Sequence, residues 1–127
     1  MIPNMVYTII SDMRIIEFYK RENGKMPVKD FLGELPIKLR AKVVDLFIAI
    51  EESDLYFDMP HSRPMEDGIF EFRIQFAGDK ARVFYFFEHR GKLILTNGFL
   101  KKSQKTPPRE LERAKEYKKD HIRRHQQ

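Results

Sequence analysis

Cysteine is absent from this chain of 127 residues, which leaves no disulfide framework, no thiolate nucleophile and no cysteine-based metal site. Long hydrophobic runs are missing too. No apolar stretch approaches the ~20 residues that span a bilayer, and the opening MIPNMVYTIISDM lacks a charged start followed by a long apolar stretch and a cleavage site. A soluble, cytoplasmic protein without a membrane partner is expected. Histidine, the usual general base near neutral pH, occurs only as His61, His89, His121 and His125. None of these forms a metal-ligand spacing, and no acidic cluster suits magnesium, so neither a metal nor a cofactor is expected. Repeats and low-complexity linkers are also lacking. The length supports one domain over residues 1–127, with 1–13 as a possible N-terminal extension and 118–127 as a tail expected to fray.

Charge is present and unevenly placed. The formal net charge is +5. From Phe99 to Gln127 there are ten Lys/Arg against four Asp/Glu, a local balance of +6, while the remainder carries −1. A concentrated basic segment attracts polyanions, and a solvated helix at a chain end would show the same composition.

That segment follows three strand-like runs. From Ile69 to Phe76 the chain alternates, so Phe70, Phe72, Ile74 and Phe76 share one face and Glu71, Arg73 and Gln75 the other. From Ala81 to Phe87 it is almost wholly apolar, as in a strand covered on both sides, with Arg82 near its start. If Ala77-Gly78-Asp79-Lys80 is a hairpin turn, Phe76 pairs with Ala81 and Gln75 with Arg82, which puts Glu71, Arg73, Gln75 and Arg82 on one face. The third run, Lys92 to Phe99, leads into Lys101-Lys102-Ser103-Gln104-Lys105.

Upstream, Val6 to Ile10 reads as a short strand or an extension, and Ile15 to Tyr19 as a strand ended by the turn at Glu22-Asn23-Gly24-Lys25. A short helix spans Val28 to Leu35. In the next helix Ile37, Ala41, Val44 and Ile48 recur at helical spacing, flanked by Val43, Phe47 and Ile50. Ser53 to Pro64 reads as a loop. The last helix starts near Pro107, with Thr106 as N-cap, Glu110 in its first turn and Leu111, Ala114 and Tyr117 as a thin apolar stripe. The order strand, two helices, three antiparallel strands, helix is an α+β architecture with helices packed on one sheet.

Arg82 is the first candidate for contact with a phosphate, because a charge in an apolar strand is costly without an anionic partner; the alternative is a structural salt bridge to Glu71. Arg73 is second. Lys101 and Lys102, with Lys105, Lys80 and Arg109, are further candidate contacts for a polyanion; a solvated turn is the alternative for Lys101 and Lys102 and the favoured reading of Lys105. Tyr85 and the other strand aromatics read as core, with Phe84 or Phe86 able to stack a base only if exposed.

Taken in order, Asp67-Gly68-Ile69-Phe70-Glu71-Phe72-Arg73, then Arg82-Val83-Phe84-Tyr85-Phe86-Phe87, then Gly98-Phe99-Leu100-Lys101-Lys102-Ser103-Gln104-Lys105-Thr106-Pro107, this set resembles the RelE/HigB superfamily of bacterial toxins, in its phage-derived Gp49-like branch. Asn23 to Val28 and Phe31 to Leu35 resemble the way the branch begins, and the resemblance covers roughly residues 15–114. It implies a RelE-like α+β domain that is the toxin of a type II toxin–antitoxin pair, and a ribosome-dependent mRNA endonuclease working without a metal. It also implies a helix-turn-helix antitoxin from the adjacent gene, with the ribosome and mRNA as further partners and operator DNA bound only through the antitoxin. Arg82 matches the arginine that contacts the scissile phosphate in RelE-type toxins, and Lys101 and Lys102 match the family's basic pair. The chain departs from the pattern in lacking a tyrosine just after Lys102 and the terminal Asp-Tyr-His-like cluster. These departures leave the general base and acid unassigned by the resemblance, with a lysine whose pKa is lowered by neighbouring cations as one candidate base. Two other readings use the same fold: a ParE-like gyrase inhibitor, and a non-catalytic module that binds RNA or an antitoxin.

Overall fold

The computed structural model describes residues 15–52, 61–88 and 91–125. The possible strand at 6–10, the extension at 1–13, most of the 53–64 loop and His89 lie wholly or partly outside them. Along the chain run β1 (Ile15–Phe18), α1 (Pro27–Glu34), α2 (Ile37–Glu52), β2 (Ser62–Pro64), β3 (Phe70–Phe76), β4 (Asp79–Glu88), β5 (Lys92–Leu100) and α3 (Pro108–His125). The five strands form one sheet in the order β1-β5-β4-β3-β2. β1 is parallel to β5, and the other neighbours are antiparallel. The expected α+β order is found, with one addition. The end of the 53–64 stretch is a short edge strand, because Ser62, Arg63 and Pro64 pair with Phe72, Glu71 and Phe70.

Each face of the sheet has its own core. α1 packs on β5 and α2 on β3 and β1, while α3 crosses the opposite face over β5 and β4. Phe72, Ile74, Val83, Leu93 and Leu95 fill the first face, and Ile69, Phe84, Phe86, Ile94 and Ala114 the second. Burying each large apolar side chain contributes about 1.5–3 kcal/mol.

The core side of α2 differs from the expected stripe. Leu39, Val43, Leu46, Phe47 and Ile50 are buried, whereas Ile37, Val44 and Ile48 are exposed. Both sets recur at helical spacing, so α2 carries two apolar stripes, and the larger one, which includes Phe47, takes the core. Arg40 of α2 also closes α1, since its guanidinium donates to the carbonyls of Leu32, Gly33 and Leu35 at 2.8–3.1 Å. It supplements the Leu35 amide, which donates to the Leu32 carbonyl at 3.2 Å, at an end where helical carbonyls lack intrahelical partners.

The β3–β4 hairpin is tighter than expected. Phe76 pairs with Asp79 and Arg73 with Arg82, leaving the two-residue turn Ala77-Gly78, both at positive φ (51° and 87°), as a twist-matched hairpin requires. The register moves by two residues, and an even slip keeps every side chain on its predicted face. In β5 the register shifts between the partners of Val83 and Tyr85, which pair with Gly98 and Leu95. One extra residue is thereby accommodated as a bulge. Past it, Gly98 lies under Phe31 of α1, where a β-carbon would sit 2.4 Å from the ring. Phe99 instead joins the core beneath α3.

The chain end is helical to His125 and docked, where fraying was expected from residue 118. Tyr19 Oη donates to Asp120 at 2.5 Å, Arg124 holds the same carboxylate at 2.8–2.9 Å, and buried His121 bonds Glu88 at 2.5 Å. Polar contacts, which an apolar stripe does not reveal, pin this segment. α3 begins at Pro108, so Thr106 is not its N-cap.

Candidate functional site

β3, β4 and the exit of β5 bring the charged face together around Glu71. Its carboxylate is fully buried (0 % exposed). Oε1 accepts from Arg63 Nε at 3.0 Å and lies 3.7 Å from Arg82 Nε, and Oε2 accepts from Thr106 Oγ1 at 3.3 Å. Strand alternation aims Glu71 at this face, β2 supplies Arg63 from one side, β4 supplies Arg82 from the other, and Thr106 ties down the loop before α3. A buried carboxylate with several partners is stable only while those partners remain. Glu71 thus fixes the position of the cations beside it.

Arg82 is itself 4 % exposed. Its Nη1 donates to the carbonyl of Ala81 at 3.0 Å, and its Nε is buried with no hydrogen bond. Burial lowers its pKa, and Glu71 opposes that shift. The salt-bridge reading of Arg82 is therefore present in the structure, at the back wall of a cleft rather than in its mouth.

The cleft has a volume of about 620 Å³ and is lined by Arg73, Lys80, Arg82, Lys101 and Lys102, with one acidic residue, Asp79, and with Gly78, Leu100, Ser103 and Gln104. Five of the cations singled out in the sequence thus meet at one place. Lys105 and Arg109 do not line it, and both are exposed; Ser103 Oγ bonds the Lys105 carbonyl at 3.0 Å within the exit loop. Lys101 is anchored by its backbone, whose amide donates to the Lys80 carbonyl at 2.7 Å. Burial and then the positive field of Arg82 hold the Lys101 ammonium below the usual lysine value. Its neutral amine is correspondingly easier to form.

Phe84 and Phe86 are buried, so neither offers a ring to a base. Tyr85 is core as expected; its hydroxyl bonds Ser62 Oγ at 2.6 Å, and burial pushes its pKa up to about 12. His61 lies outside the cleft, in a smaller recess with Lys42, Asp45 and Arg73. Among the described residues no group of three metal-ligating side chains occurs, and no helix is long and apolar enough to cross a membrane.

Sequence reasoning missed Arg63, because Ser-Arg-Pro is too short to show a period; the salt bridge of Glu71 to Arg82, read from the sequence as the alternative role of Arg82, is present. A signal for Glu71 was present: a carboxylate between two phenylalanines, on the face that also receives Arg73 and Arg82.

Among curated proteins none matches the chain. A family model described as Phage derived protein Gp49-like (DUF891) matches residues 30–119, well over half of the chain. The matched stretch takes in α2, all of the strands except β1, the cleft and most of α3; the motif at 23–28 precedes it. The chain therefore belongs to the phage-derived Gp49-like family, a RelE/HigB-like toxin family.

Proposed function

We propose that this protein is the toxin of a toxin–antitoxin pair and acts as a ribosome-dependent mRNA endonuclease whose chemistry is carried by its own cations. The observation that carries the reading is the cleft itself, where Arg73, Arg82, Lys80, Lys101 and Lys102 converge over a buried carboxylate. Cleavage of RNA at a 2′-OH needs a base for that hydroxyl, positive charge for the phosphorane and a proton for the departing 5′-oxygen. Arg73 reaches the phosphate from the hairpin side, and Arg82 adds field from behind, where low dielectric strengthens it. Lys101, with its lowered proton affinity, takes the 2′-OH proton; the 2′-oxygen attacks phosphorus and the P–O5′ bond breaks. Lys102, which is more exposed, returns a proton to the leaving 5′-oxygen. The products are a 2′,3′-cyclic phosphate and a 5′-hydroxyl. The ribosome and mRNA are the partners of this site, and an antitoxin is the partner of the protein as a whole.

The test is induction of the chain in cells with mapping of messenger 5′ ends, alongside Arg73→Ala and Lys101→Ala, which remove groups outside the buried cluster. Cuts inside translated codons that fall about 100-fold or more in either variant, with unchanged circular dichroism, are expected. Growth arrest with intact messages would replace this reading with gyrase inhibition, and no arrest with a non-catalytic binding role.

A further inference from the structure

β5 has an edge that its own sheet does not close. β1 pairs with it only from Lys92 to Leu95, and after the amide of Tyr19 donates to the Leu95 carbonyl at 2.9 Å the chain turns away toward α1. β5 runs on to Leu100 with β4 on one side and, among the described residues, no strand on the other. The direction of its free groups follows from alternation. Lys101 N donates to Lys80, so Phe99 faces Arg82 across the ladder, and the N–H and C=O of Gly98 and Leu100 point outward.

A groove of about 480 Å³ lies along this edge, walled by Phe31 of α1 and Leu35 just after it, and by α3 with Tyr117. Its charges are unequal. On the α3 wall Glu110 already holds Arg113 at 3.3 Å. On the α1 wall Asp30 and Glu34 are exposed, one turn apart, with no ion pair among the described residues. Asp30 and Glu34 outnumber Lys102, the one other lining charge without an ion pair among the described residues, so a chain of net charge +5 presents a locally acidic groove beside a strand edge and an apolar wall.

We propose that this groove takes an extended segment of the antitoxin as an added strand on β5. Its backbone bonds Gly98 and Leu100, an apolar side chain rests on Phe31 and Leu35, and a Lys or Arg faces Asp30 and Glu34. Strand addition draws affinity from main-chain hydrogen bonds and specificity from alternate side-chain pockets, and this groove offers both. RNA is the poorer occupant, since a phosphate backbone meets Asp30 and Glu34 there against Lys102 alone among the lining charges without an ion pair in the described residues. Leu100 and Lys102 line both the groove and the catalytic cleft, so a strand seated here lies against the wall of the site it silences. The inference rests on the toxin–antitoxin reading and is independent of which cellular target the toxin attacks.

The experiment co-purifies the full chain with the antitoxin encoded beside it and compares amide hydrogen exchange in the free and bound toxin. Exchange at Gly98 and Leu100 is expected to slow at least about tenfold in the complex. An Asp30→Lys/Glu34→Lys variant is expected to bind about tenfold or more weakly by calorimetry and to arrest growth without rescue by co-expressed antitoxin. Unchanged exchange at these amides, undiminished rescue of the variant, or no binding between the two proteins would each overturn the proposal. Exchange on the unaltered complex decides the matter even if the double variant folds poorly. Calorimetry and exchange need no toxicity, so failure of the endonuclease reading leaves their result intact.

Discussion

The two faces of the sheet are made from alternate residues of the same strands, yet they are held by different forces. Under α1 and α2, Phe72, Ile74, Val83, Leu93 and Leu95 form a closed apolar layer, whose members are replaceable by others of similar volume. The opposite face is divided. Beneath α3 it continues as Ile69, Phe84, Phe86 and Ile94, and beyond the first turn of that helix Glu71 and Arg82 sit just as deep. There the worth of each residue depends on its neighbours, because a buried charge without its partner is far less stable than the pair or than neither. Site and stability are therefore separable on the first face and inseparable at Glu71.

The sharpest way to break this contrast is Glu71→Ala, expected to lower stability by about 3–5 kcal/mol in urea unfolding, since Arg82 stays buried without its carboxylate. A Glu71→Leu/Arg82→Leu pair is expected to recover most of that loss. Phe72→Ala on the other face is expected to be about as harmful, at about 3–5 kcal/mol, with no partner whose removal restores it. A Glu71→Ala variant as stable as the parent would collapse the distinction.

A smaller effect is expected at the junction of α1 and β5. Gly98→Val places its β-carbon against the Phe31 ring and should cost about 1–3 kcal/mol, part of which Phe31→Ala returns. Next comes acid. Hydrogen bonds from Arg124 and then Tyr19 hold the Asp120 carboxyl well below the usual carboxylate range. A depressed folded value means the contribution is complete above the unfolded pKa of ~3.9 and is lost as pH falls toward the folded one. Asp120→Asn should therefore flatten the acid side of a plot of thermal midpoint against pH, and an unchanged acid limb would remove Asp120 from the account. The smallest effect belongs to Ile37, 78 % exposed on the outer stripe of α2, where Ile37→Lys should stay within about 0.5 kcal/mol of the parent.

Much of this contrast is legible in the sequence. Alternation in Ile69–Phe76 separates Phe72 from Glu71 and Arg73, and Arg82 in an apolar run declares a charge in need of a partner. The hairpin register differs by two residues from the one the sequence predicts, with every side chain on the same face, because parity and not pairing decides the face. Three features had no local signature. Two apolar stripes compete along α2, and only packing against β3 and β1 chooses between them. A three-residue strand shows no period. Tyr19, Glu88 and Lys20 lie far in sequence from the Asp120, His121 and Arg124 that they hold, so a polar helix end looked free. Among the candidate cations, the sequence order of Arg73, Lys80, Arg82, Lys101 and Lys102 along a hairpin and its exit was enough to gather them; Arg63 and Thr106 enter only through tertiary contact with Glu71.

The bulge in β5 also bears on how the gene can change length. A residue lost from the middle of a regular strand turns every later side chain to the opposite face, and for this protein that would carry Lys101 away from Arg82. Here the strand already holds one residue more than its partner between the pairings of Leu95 and Gly98. Loss of the codon for Thr96 would restore strict alternation and leave Gly98 under Phe31, Phe99 under α3 and Lys101 at the cleft. At this joint a one-codon deletion keeps the facing of both halves of β5, with loss of the buried Thr96 hydroxyl that donates to the Phe84 carbonyl at 3.3 Å.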